Sequence, residues 1–374
     1  MLKQGVTDYL QAALQGRHEK GRLRSFSPTP AGIDFCSNDY LGFAGNTLFQ
    51  NWLSNLVYQQ PEVLRGAGGA RLISGDSRIV TEVENFIAQR HRVAKALLLP
   101  SGYVANLSLF SALPVRGDTI ILDERVHRSV HDGCLMSPAK RWKFRHNDVQ
   151  HLRDLIERSS GRVWIAVESL YSMDGDFAPL SELTRLAQEY NAALIVDEAH
   201  AIGTFGLGLL EKLNLQKAVF ASVVTYGKAM GLSGAAILGS GTLVNYLANY
   251  ASPVIYSTAL SDFHALAIRK SYEFLDRHGA AQRKKLDSSI AWFNALELPC
   301  AAPLKSPIKP IRLPDITALD RAVLSLQENG IRSYAIKSPT VSIGQECVRI
   351  SLHAFNNRKE IELLGTILKQ NING

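Results

Sequence analysis

Ala193-Leu194-Ile195-Val196-Asp197-Glu198-Ala199-His200 is a run of four apolar residues, too short for a helix, that leads straight into an acid pair and an imidazole. A strand buried on both faces has this form, and its polar residues then stand at its carboxyl end. The same pattern repeats outward from it. Residues 96–99, 119–122 and 163–167 upstream and 219–224 downstream are short apolar runs that predict strands. Helical patterns lie between them, at 104–113 and at 180–190, where Leu180, Leu183 and Leu186 keep one face apolar. Strands alternating with helices of this length imply βαβ units and a mostly parallel sheet. The fold class expected is therefore α/β.

After about residue 262 the character changes. Helices are expected at 263–278, 284–298, 319–329 and 358–369, with Pro-punctuated strands at 308–313 and 348–352. This describes a smaller α+β C-terminal domain. The expected division is 1–45 as an N-terminal arm and helix, 46–262 as the large domain, and 263–374 as the small one. A chain of 374 residues with 46% hydrophobic and 20% charged residues can bury such cores and is not disordered.

Several function classes are excluded. The net charge of +7 (41 − 34) is spread along the chain rather than gathered into a nucleic-acid arm. It suits an acidic small substrate or an acidic carrier protein. Cys36, Cys134, Cys300 and Cys347 lie far apart without a CxxC pair, which fits reduced thiols in a cytoplasmic protein. The first twenty residues predict an amphipathic helix without the apolar segment of a secretion signal. Residues 229–260 carry no charge, but Gly, Ser, Thr, Asn and Pro interrupt them, so they read as buried interior and not as a membrane span.

In open parallel sheets ligands bind beyond the carboxyl ends of the strands. Pro100-Ser101-Gly102-Tyr103 follows one strand and opens a helix. Ser101 can cap it, Gly102 permits close approach, and the first N–H groups form a seat for phosphate. A plain N-cap has the same appearance. Asp123 to His127, Glu168 to Gly175, Asp197 to His200 and Thr225-Tyr226-Gly227-Lys228 follow the others. Asp197, His200 and Lys228 can thus converge at one sheet edge. A lone strand-end Asp is commonly a helix cap, and a lone Lys is commonly solvated. The set, with a phosphate seat, suits pyridoxal phosphate, which needs a lysine Schiff base and an acid opposite its ring nitrogen. His127 and His131 are spaced for a metal but lack an HExxH pattern and a third ligand, so no metal centre is expected. The glycines at 66–69 and 203–206 do not form a first-strand dinucleotide fingerprint.

Phe35-Cys36-Ser37-Asn38-Asp39-Tyr40-Leu41-Gly42, Arg71-Leu72-Ile73-Ser74-Gly75, His146-Asn147-Asp148, Ser172-Met173-Asp174-Gly175-Asp176, Asp197-Glu198-Ala199-His200 and Thr225-Tyr226-Gly227-Lys228 occur in order. Together they resemble the α-oxoamine synthases, pyridoxal-phosphate enzymes with the aspartate aminotransferase-like fold, over nearly the whole chain. The resemblance implies a mostly parallel seven-stranded-type sheet, an acyltransferase activity and a homodimer without nucleic-acid or membrane partners. Gly231-Leu232-Ser233-Gly234-Ala235-Ala236, Ile255-Tyr256-Ser257-Thr258, Pro339-Thr340-Val341 and Val348-Arg349-Ile350-Ser351 are most similar to the members that serve biotin synthesis. Those join L-alanine to a pimeloyl thioester, carried by coenzyme A or by an acyl carrier protein. Glycine C-acetyltransferase, 5-aminolevulinate synthase and serine palmitoyltransferase look less similar in these stretches. Another α-oxoamine synthase activity, or a relative that binds the cofactor without catalysis, is the alternative.

Residue by residue, the resemblance implies that Lys228 holds the cofactor and serves as base, Asp197 pairs with its ring nitrogen, and His200 bonds its ring oxygen. His127 stacks on the ring and helps polarise the thioester. Gly102, Tyr103 and Thr225 lie at the phosphate, and Ser172 also contacts the cofactor. Thr258 reaches the phosphate of the neighbouring subunit. Arg349 grips the amino-acid carboxylate, with Arg24 and Thr340 also on the substrate side. Val80 departs from a frequent His, Tyr103 from a common Phe, and Glu198 from an Asp of some relatives; Val80 is expected on a helix away from the cofactor.

Overall fold

The computed structural model describes residues 2–21, 23–26, 31–338 and 340–373. The chain falls into two compact units, Met1–Gly32 and Ile33–Gly374. In the first, Leu2–Glu19 is the expected N-terminal helix. Arg24 also belongs to this unit.

The strands of the second unit, in chain order, are β1 (Ile33–Asp34), β2 (Lys95–Leu99), β3 (Thr119–Asp123), β4 (Lys140–Phe144), β5 (Val163–Glu168), β6 (Ala193–Asp197), β7 (Ala221–Thr225), β8 (Ala235–Gly239), β9 (Ile308–Ile311), β10 (Ile331–Arg332), β11 (Ala335–Ile336) and β12 (Cys347–Ser351). Seven form the central sheet in the order β2-β8-β7-β6-β5-β3-β4. Only β8 runs against its neighbours. The other six are parallel, so their carboxyl ends share one edge.

Alternate residues of the strands feed two cores. Leu98, Val224, Ala236 and Leu238 pack into one. Leu97, Leu99, Val223 and Ile237 pack into the other. The period of two places successive side chains on opposite faces, and helices cover both. The first face carries helices Arg78–Arg90 and Asp262–Asn294, and the second carries Gly102–Ala112 and Leu180–Glu189. Val80 is buried in helix Arg78–Arg90. β11, β12 and β9 make a separate antiparallel sheet, and β1 pairs with β10.

One expectation needs correction, and two strands lie outside the runs that the sequence predicts. Helices at 263–278 and 284–298 are one helix, Asp262–Asn294, which passes through Gly279 without a break. Ala280 and Ala281 favour helix there, and buried Leu275 and Leu286 bind both halves to the same core. β4 was not expected, because Lys140, Arg141 and Lys143 give it no apolar run. It is the sheet's edge strand, where such charges belong. β8 lies inside the uncharged stretch 229–260, which supplies this strand and the helix Gly241–Tyr250. Among the described residues no helix is long and apolar enough to cross a membrane.

Candidate active site

A cavity of about 240 Å³ opens at the carboxyl edge of the central sheet. Gly102, Tyr103, His127, Asp197, His200, Thr225 and Lys228 all line it, as does Glu168. Each arrives there from the end of a strand. Glu168 and Asp197 are the last residues of β5 and β6 and stand in register with each other. Thr225 ends β7, and Lys228 sits in the loop to β8. That loop closes through Tyr226 N to Gly234 O (2.9 Å) and Leu232 N to Tyr226 O (2.7 Å).

The helix after β2 starts as the sequence expects. The Ser101 side chain accepts from Val104 N at 3.2 Å and caps it. The remaining first-turn N–H groups have no partner within the helix. A Cβ on Gly102 would stand 2.5 Å from the Thr225 methyl carbon. The missing side chain therefore leaves these N–H groups and Thr225 close enough to receive one small anionic group.

Asp197 is buried and held by both oxygens. Ala199 N donates to Oδ1 at 2.9 Å, and Asn106 Nδ2 donates to Oδ2 at 2.7 Å. Asn106 also donates to Ser129 Oγ at 3.0 Å. Ser129 N in turn donates to His127 Nδ1 at 3.2 Å, so this ring nitrogen is an acceptor and the ring proton belongs on Nε2. Burial lowers the proton affinity of His127, which agrees with a neutral ring. His200 is lowered further, by burial and then by the charge of Lys228, and its Nδ1 lies 2.7 Å from Tyr40 Oη.

Glu168 was quoted in the sequence but not singled out. Burial pushes its carboxyl up to about 8, and the neighbouring Asp197 charge adds to this. Its Oε2 accepts from Ser172 N at 3.1 Å, while Oε1 is buried without a hydrogen-bond partner. Lys228 is half-buried and lines the cavity. Burial lowers its proton affinity, and the charges of Asp197 and Glu168 oppose that shift.

Arg349, on β12, stands behind this layer. Its Nε donates to Ser172 O at 2.6 Å and one terminal nitrogen to Ser351 Oγ at 2.8 Å. The other donates to Asn38 Oδ1 at 3.0 Å and to Tyr40 Oη at 3.4 Å. Ser172 and Tyr40 thus tie it to Glu168 and His200. Asn38, Tyr40, Asn106 and Ser129 were not singled out as site residues either. Thr258 is exposed and pairs with Ala70 in an isolated bridge, and Thr340 is exposed between β11 and β12; neither lines the cavity. Pro339 lies outside the described residues.

A half-buried amine, two carboxylates at adjacent strand ends and a seat for an anion can hold a phosphorylated carbonyl compound. The donor set offers covalent anchorage, a counter-charge and an anion site at once.

The family model for aminotransferase class I and II matches residues 30–366. An 8-amino-7-oxononanoate synthase from Emericella nidulans is 37% identical, covering 97% of this chain and 95% of that one. The crystal structure of an 8-amino-7-oxononanoate synthase from Francisella tularensis is 26% identical with a TM-score of 0.77, covering 91% and 98%. A serine palmitoyltransferase from S. paucimobilis, with a bound PLP–myriocin aldimine, has a TM-score of 0.86 at 22% identity, covering 98% and 97%. That last likeness speaks for the fold alone.

Proposed function

We propose, for a chain that belongs to the aminotransferase class I and II family and within it to the 8-amino-7-oxononanoate synthases, that it joins L-alanine to a pimeloyl thioester with loss of carbon dioxide. The product is 8-amino-7-oxononanoate, a step of biotin synthesis, and the cofactor is pyridoxal 5'-phosphate. The observation that carries the reading is one cavity shared by a half-buried lysine amine, a buried carboxylate and a helix start without a side chain.

When bound, pyridoxal phosphate supplies a carbonyl carbon for an amine and a ring that withdraws electrons while its nitrogen stays protonated. Lys228 Nζ is the anchoring amine and the base for the alanine Cα proton; burial favours the neutral form that this requires. Asp197 keeps a proton on the ring nitrogen, and the bonds from Ala199 N and Asn106 fix its orientation. His200 donates to the ring oxygen. Gly102, Tyr103 and Thr225 receive the phosphate, and Ser172 also contacts the cofactor. His127 would lie against the cofactor, with Nε2–H free to hydrogen-bond the thioester oxygen. Arg349 holds the alanine carboxylate, with Thr340 on the substrate side.

The enzyme acts as a homodimer in which Thr258 reaches the neighbouring phosphate site. Exposed Leu72, Ile73 and Tyr256 near Thr258 support a face that a second copy covers. A functional boundary near residue 262 belongs to the same reading, since 46–262 supplies the cavity residues and 263–374 supplies Arg349. Four free cysteines suit the cytoplasm. Coenzyme A and a carrier protein are both acidic, and both suit the charge of +7.

Initial rates with alanine, glycine and serine, crossed with pimeloyl, acetyl and palmitoyl thioesters, test the substrate assignment. Alanine with the pimeloyl donor should exceed every other pair by about tenfold or more in kcat/KM. A faster rate with glycine and acetyl-CoA would overturn it.

A further inference from the structure

We propose that His146 is a positioning residue of this site, an imidazolium that ties the end of β3 to the turn after β5 and thereby fixes Glu168 at the cavity through its bond from Ser172 N. The ring lies between two carboxylates. Nδ1 is 2.9 Å from Asp123 Oδ1, and Nε2 is 2.6 Å from Asp176 Oδ2. A carboxylate offers no proton, so both ring nitrogens must donate, and only the charged ring can do that. A neutral ring would turn a lone pair toward one of the two acids.

The surroundings are built for this geometry. Asp123 is fully buried and also accepts from Arg125 N and Asn147 N, both at 2.9 Å. Asn147 takes a left-handed backbone (φ 56°), and its Nδ2 donates to Asp176 Oδ2 at 3.0 Å and Phe177 O at 3.2 Å. The Tyr171 ring meets the imidazole edge to face at 4.5 Å. Glu124 accepts from His146 N, and Arg145 pairs with Asp148 alongside. Burial opposes the ring's charge, but the hydrogen bonds and charges of Asp123 and Asp176 outweigh it and raise the ring to about 9.

From Asp176 the tie runs to the cavity. Tyr171 N donates to Asp176 O at 2.9 Å, and Gly175 N donates to Tyr171 O at 3.0 Å. Ser172 N donates to Glu168 Oε2. Arg349 grips the same turn from the other side through Ser172 O. A Cβ on Gly175 would meet Ile308 O at 2.3 Å, so the turn also rests closely on β9. The contribution of His146 is full below its ordinary 6.5 and is lost as pH rises through about 9.

The inference rests on the proposed function only for its link to activity, so its test does not use the reaction. In protein labelled at histidine, the ring resonances of His146 should titrate near 9; titration near or below 6.5 overturns the inference. Amide exchange in 169–177, corrected for intrinsic rate, should lose about tenfold of its protection as His146 deprotonates. His146→Gln, which can donate but cannot titrate, should show that lower protection at every pH, and its melting temperature should fall at neutral and acid pH but hardly change above about 9. Protection equal to wild type in that variant also overturns the inference. If the variant fails to fold, the wild-type titration still decides.

Discussion

Glu168 and Asp197 end adjacent parallel strands in register, so two carboxylates share one buried corner. Burial first, and then the like charge of Asp197, make a second ionised carboxylate costly, and the proton stays with Glu168 to about 8. In the unfolded chain the same carboxyl ionises near its ordinary 4.5. Its contribution to stability is therefore full below that value and is lost as pH rises through about 8. Glu168→Gln, always neutral and of the same shape, should raise the melting temperature of cofactor-free protein by a few degrees at alkaline pH and hardly change it in mild acid. Equal shifts at both ends of a pH series of melting curves would show that Glu168 is not the titrating group. Gly102→Ala acts differently. Its Cβ would crowd the Thr225 methyl at 2.5 Å, so pyridoxal-phosphate affinity should fall about tenfold or more in equilibrium titration, with little change in melting. The convergence of Lys228, Asp197 and His200 was legible in the sequence because each lies at or just beyond a strand end, whereas His127 entered through the family resemblance. Asn106 and Ser129 were not legible, because their importance lies in a hydrogen-bond chain between residues far apart in sequence.

At the scale of elements, the loop joining β7 to β8 decides where Lys228 points. Gly231 makes it possible. Its φ is +71°, and a Cβ there would lie 2.6 Å from both Ala44 N and Phe43 Cβ. Backbone cannot retreat as a flexible side chain can. Gly231→Ala should therefore cost about 2 kcal/mol or more of stability, from the left-handed backbone and the close approach together. Urea unfolding measures it, and an unchanged midpoint would mean that the loop yields. The strands that frame this loop show what a sequence can reveal. Buried parallel strands such as β6 are apolar throughout and announce themselves. β4 carries Lys140, Arg141 and Lys143 at the sheet edge and gives no apolar signal. The two helices expected at 263–278 and 284–298 flank Gly279. Local propensity favours a stop there by only about 1 kcal/mol, and one continuous packed face overrides it. The carboxyl-edge location of the site was legible because it follows from topology. The partners of Arg349 were not, since β12 meets Asn38 and Ser172 only through tertiary packing.

For the whole molecule, the open question is what covers the segments 64–75 and 252–259. Ala70 bridges Thr258, and Ala259 N donates to Gly69 O at 3.0 Å, so the two segments make one surface. On it Ile73 is 87% exposed, Tyr256 80% and Leu72 57%. Large apolar side chains gathered this way mark an interaction face more often than a bare surface. Covering one such side chain contributes about 2 kcal/mol. Ile73→Asp removes that gain and leaves a charge to be buried in any interface. Because Ile73 is solvent-exposed in the single chain, the substitution should leave the subunit's own fold intact. Sedimentation should then show self-association weakened by at least about tenfold. Cofactor affinity should fall in parallel, because the proposed role of Thr258 lies across the same face. A variant that remains as dimeric as wild type at the same concentration would move the interface elsewhere. Weakened association with undiminished cofactor affinity would keep the interface but remove Thr258 from the neighbouring site.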